Sequence, residues 1–107
     1  MRQSPRDDRR PVLAFCSTMQ SGPGRRMEGV LAQLARKERA RVRIAHIDVD
    51  LRPRTAERLG VSTVPTLVLI QNGRVIDRIE GRASAPQIER FLEDHLGSAG
   101  EPMRLSA

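Results

Sequence analysis

Residues 61–73 read VSTVPTLVLIQNG, and this stretch decides how the chain folds. Thr66 to Ile70 is a short apolar run bounded by turn residues, the signature of a buried strand. Asn72-Gly73 follows at once, the pair that closes a tight two-residue hairpin. Arg74 to Ile79 therefore returns antiparallel to the first strand. Val64-Pro65-Thr66 stands directly ahead of the run.

Downstream of the hairpin, Ser84-Ala85-Pro86-Gln87 has the capping-box pattern of a helix start. Ile88, Phe91, Leu92 and Leu96 form the apolar stripe of that helix, and Gly97 is placed to end it. Upstream, Pro53 suits the first turn of a short helix running to Leu59-Gly60. Arg43 to Val49 (RIAHIDV) alternates as a strand does, with Ile47 and Val49 on one face and His46 and Asp48 on the other. From Gly24 to about Arg39, Met27, Val30, Leu31, Leu34 and Ala35 recur at helical spacing. Pro11 to Cys16 reads as another buried strand. The order is β-α-β-α-β-β-α. A helix between the first two strands makes them parallel and right-handed, so the expected fold is an α/β domain with helices on both faces of a mixed sheet.

The 107 residues, 38% hydrophobic and 30% charged, suit one domain whose core buries roughly 60–70% of the chain surface. Residues 1–10 are expected to form a flexible basic arm, residues 11–97 the domain, and residues 98–107 a disordered tail. No apolar run approaches the ~20 residues of a membrane span, and PVLAFC is too short for a signal-peptide core. The expectation is a cytoplasmic protein with no membrane partner. Residues 1–43 hold 11 basic against 4 acidic residues, and residues 44–107 hold 8 against 9. An arginine-rich amino-terminal half suits an anionic partner. With no Trp or Tyr to stack on bases, nucleic acid is not the expected one.

Five stretches together resemble thioredoxin without that family's first strand and helix: VLAF, SGPG at 21–24, VDLRP, VSTVPTLVLIQNG and IEGRASAPQIERFLEDHL. They lie within residues 11–96. The resemblance implies the thioredoxin fold, with Pro65 in cis beside the turn at Ser21-Gly22-Pro23-Gly24. It also shows what is missing. Ser21 and Gly24 stand where the family keeps its two redox cysteines, and Gln20 looks like an extra residue before them. Ala14 replaces a buried acid, His46 the lysine facing it, and Gly29 a helix-kinking proline. The chain is similar, too, to bacterial thioredoxin-like proteins with Ser-Gly-x-Cys-Arg-Arg at this turn. Arg25-Arg26 fit that pattern and Gly24 does not.

A seryl oxygen forms no disulfide, so dithiol exchange is not expected. What the turn retains is the positive end of a helix, with Arg25 and Arg26 adding charge. The leading expectation is a binding or adaptor module holding an extended peptide or protein between Ser21-Gly22 and Val64-Pro65. The enzyme alternative rests on Cys16, the single cysteine, activated by His46 as a monothiol nucleophile. Against it stands the common role of free cysteine as a small buried hydrophobe. His46, Asp48 and Asp50 alternate on one strand face, yet such carboxylates ordinarily only solvate a strand end. Neither a metal nor another cofactor is expected.

Overall fold

Seven elements follow one another in the predicted order: β1 (Val12–Ser17), α1 (Gly22–Lys37), β2 (Arg43–Asp48), α2 (Pro53–Arg58), β3 (Thr66–Gln71), β4 (Arg74–Glu80) and α3 (Ala85–Leu96). The computed structural model describes residues 9–18 and 22–97, and for residues 22–25 the backbone alone. The strands form one sheet in the order β2-β1-β3-β4. β1 pairs parallel with β2 and antiparallel with β3, and β3 pairs antiparallel with β4.

The two-residue period of the strands divides the core in two. Leu13 and Phe15 of β1 and Leu67 and Leu69 of β3 pack with Met27, Leu31 and Leu34 of α1 and Ile88 and Leu92 of α3. On the other face Ala14, Cys16 and Val68 form a smaller cluster, against which Ile47, Val49, Leu59, Val61 and Ile70 pack. The expected mixed sheet between helices is thus observed.

Boundaries moved where backbone chemistry outweighs side-chain pattern. α1 starts at Gly22, two residues before the expected point, so Gly22-Pro23-Gly24 is its first turn and not a turn ahead of it. Proline belongs there, since the first helical N–H groups have no partner within the helix. At the far end the Arg41 and Val42 N–H groups both donate to the Glu38 carbonyl, at 2.9 and 3.0 Å. Arg41 Nε also donates to Glu38 Oε1 at 2.9 Å, pairing a carboxylate that is otherwise buried, and Arg41 Nη1 donates to the Gly97 carbonyl. One guanidinium thereby joins the ends of α1 and α3.

The hairpin turns through Asn72 and Gly73, with φ of 54° and 78°, the left-handed pair that a type I′ turn requires. A register shift after Leu69 places Ile70 opposite Val75 and Leu69 opposite Asp77, a bulge that leaves Ile76 exposed. α3 carries the reciprocal cap: the Gln87 N–H donates to Ser84 Oγ at 3.3 Å and the Ser84 N–H to Gln87 Oε1 at 3.2 Å. The described residues reach into the expected amino-terminal arm at Arg9 and Arg10. Arg10 Nη1 donates to the Arg39 carbonyl at 2.7 Å, and the Arg43 N–H donates to the Pro11 carbonyl at 2.9 Å. The rest of that arm, residues 1–8, and the expected tail at 98–107 lie outside the described residues.

Gly29 sits inside α1 with an exposed surface, and a Cβ built on it meets nothing within 4 Å. Gly29→Ala should therefore raise stability by about 0.5–1 kcal/mol through helix propensity and a less flexible unfolded chain. Urea denaturation of the two proteins, with equal slopes, measures it; a loss of stability would show that α1 needs glycine there.

Candidate functional site

Two backbone features face the chemistry that the sequence suggested: the first turn of α1 and the Val64–Pro65 peptide, which is cis. Val64 is partly exposed while Pro65 is buried. The loop that carries them is tied down on either side. Thr66 Oγ1 donates to the Thr63 carbonyl at 2.7 Å, and the Gly81 N–H donates to the Pro65 carbonyl at 2.8 Å. Among the described residues no hydrogen bond uses the Val64 N–H or C=O. Of the expected turn residues, Gly22 opens the helix, whereas Ser21 and Gln20 lie outside the described residues. Arg25 is described as backbone only. Arg26 is exposed and lines a cavity of about 280 Å³ together with Met27, Val30, Arg82, Ala83 and Ser84.

Cys16 is fully buried and free. Burial pushes its thiol up in pKa, and the nearby Arg78 guanidinium only partly offsets this. The approach of His46 to Cys16 that the enzyme alternative requires does not occur. In the parallel register Cys16 stands beside Ile47, and His46 stands beside Phe15. The His46 and Phe15 rings meet edge to face, 5.6 Å apart, so the imidazole lies on the opposite side of the sheet from the sulfur. A thiolate is the reactive form, and both burial and the missing base act against it. In native buffer a thiol reagent should modify Cys16 slowly and completely only after denaturation. Stoichiometric labelling within minutes, read by mass spectrometry, would contradict this environment.

His46 and Asp48 instead line a cavity of about 120 Å³ with Ser17, Thr18, Glu28 and Ile47. Glu28 was not singled out in the sequence; it lies off the apolar stripe of α1, and only the packing of α1 on the sheet brings it near β2. Asp48 Oδ1 already accepts the Asp50 N–H at 2.9 Å. No three His, Cys, Asp or Glu side chains among the described residues are grouped to hold a metal ion. The second histidine is elsewhere: His95 Nε2 and Asp77 Oδ2 lie 2.9 Å apart. The Arg78 N–H and then His95 hold the Asp77 carboxyl below its usual range.

Several arginines serve the fold. Arg78 Nη1 donates to the Leu59 and Gly60 carbonyls, 2.9 Å each, closing the end of α2, and Arg10 and Arg41 bind carbonyls as described above. Among the described residues no helix is long and apolar enough to cross a membrane.

Residues 4–94 match the family model described as Thioredoxin. The chain belongs to the thioredoxin family. It is 33% identical over 87 residues to thioredoxin of Alicyclobacillus acidocaldarius, covering 81% of this chain and 83% of that one. It is 32% identical over 76 residues to thioredoxin 2 of Chlorobaculum tepidum, covering 71% and 70%. Mitochondrial thioredoxin 3 of Saccharomyces cerevisiae, in its oxidized form, superposes with a TM-score of 0.71 at 28% identity, covering 78% and 77% of the two chains. The germline-specific thioredoxin Deadhead of Drosophila melanogaster gives a TM-score of 0.78 over 86% and 87%. At 24% identity it speaks for the fold alone. Within this thioredoxin frame the one cysteine sits inside β1, and none is at the start of α1.

Proposed function

We propose that this thioredoxin-family chain is a non-catalytic binding or adaptor module that holds an extended peptide or protein beside Val64-Pro65 and the start of α1. The observation that carries the reading is the placement of Cys16. Disulfide exchange needs an accessible attacking thiolate and, for release, a resolving thiol; the sole cysteine is buried in the sheet with its thiol form favoured. Recognition does not need the sulfur. The Val64 backbone, without a partner among the described residues, offers one N–H and one C=O to an extended partner, as an added strand would use them. The helix end at Gly22, with exposed Arg26 close behind it, favours negative charge nearby.

Insulin reduction with dithiothreitol, or with thioredoxin reductase and its reductant, checks the chemical half. The rate should match that of a control lacking the protein, and catalysis clearly above it would overturn the reading. Loss of such catalysis in Cys16→Ser would then assign it to a monothiol mechanism.

A further inference from the structure

We propose that the cavity between α1 and the segment leading into α3 receives an acidic peptide segment, in which an apolar side chain is flanked by carboxylates. Its floor is apolar: Met27 and Ala83 are buried and Val30 is half-buried. Its polar part is cationic. Arg26 and Arg82 line it and are exposed, and among the described residues neither has a hydrogen-bond or ion-pair partner. Among the described residues no acidic side chain lines it. Ser84 Oγ accepts the Gln87 N–H to cap α3, so the two guanidiniums are left to recognise a ligand.

A guanidinium matches a carboxylate in two parallel hydrogen bonds. Phosphate would suit it as well, but no aromatic ring lines this cavity on which a base could stack. An aliphatic floor under two cations fits a peptide side chain between acids. The place also continues the site proposed above, since the Gly81 N–H that leads into this segment is bonded to the Pro65 carbonyl. The inference rests on that reading, because a chain paired along Val64 would run on over Gly81 and Arg82.

The test is titration of the full-length ¹⁵N-labelled protein with capped synthetic peptides, followed by NMR. Gly-Ser-Glu-Leu-Glu-Ser-Gly should bind at least about tenfold more tightly than its Gln-Leu-Gln counterpart, a difference of ~1.4 kcal/mol. Amide shifts should centre on Val30, Arg82 and Ala83. The double variant Arg26→Glu and Arg82→Glu, with an unchanged circular dichroism spectrum, should lose that preference. Equal binding of the two peptides with shifts confined to Val64 would overturn this inference and leave the extended-chain reading standing. Charge-selective binding at the cavity with Val64 unmoved would support the cavity and overturn the extended-chain reading. Tighter binding of an oligouridylate through the same arginines would overturn the peptide assignment.

Discussion

The paired substitution Ser21→Cys and Gly24→Cys should speed insulin reduction at least about tenfold over the parent chain, which on the reading proposed above stays at the level of a protein-free control. Exchange proceeds by thiolate attack and resolution by a second thiol, so the gain should need both changes and vanish in either single variant. The frame is suited to the first sulfur. α1 begins at Gly22, and a cysteine ahead of a helix has its pKa lowered by the unpaired N–H groups and the helix dipole. Support for the second is weaker, because Ala14 stands where the family has a buried acid. The repaired protein should therefore fall short of its thioredoxin relatives. A Cys16→Ala background keeps the thiol count unambiguous. If the paired variant forms its disulfide by mass spectrometry yet stays inactive, restoring the two cysteines is not sufficient for exchange in this frame.

The fold was legible because its punctuation is local. Asn72-Gly73 specifies a hairpin, Ser84 with Gln87 a helix start, and the spacing from Met27 to Ala35 a helix face; each needs only a few neighbouring residues to act. The site was less legible because it depends on register and on backbone. Alternation along β2 separates Ile47 from His46, but it does not say which of them lies beside Cys16. That follows from how β1 slides against β2, and a one-residue slip exchanges the two faces. The pairing of Phe15 with His46 is what removed the imidazole from the sulfur. In the same way the bulge after Leu69, the Arg78 cap on α2 and the link from Arg41 to Glu38 and Gly97 join segments 3 to 56 residues apart. The arginine-rich amino-terminal half suits a surface for anions, yet two of its arginines, Arg10 and Arg41, satisfy carbonyls in the folded chain, as Arg78 does beyond it.

Phe15→Ala should have the largest effect on stability of any single change, and its reason lies in that same register. Phe15 is the largest fully buried side chain, at the middle of the central strand β1, between His46 on one neighbour and Leu67 on the other. It belongs to the cluster that joins the sheet to α1 and α3, so a void there removes contacts from both helices at once. A buried phenylalanine cut to alanine costs about 3–5 kcal/mol, against a total stability of about 5–15 kcal/mol for a domain of this kind. Thermal unfolding should move down by more than about 10 °C. Because the variant could fail to fold, Phe15→Leu provides the graded case: it keeps most of the volume and should cost under about 1.5 kcal/mol. Nearly equal losses for the two, measured by urea denaturation, would place the energy in the edge-to-face contact with His46 and not in the filled core. In that event His46→Ala alone should reproduce the loss, whereas core packing predicts that His46→Ala, at an exposed position, costs far less than Phe15→Ala.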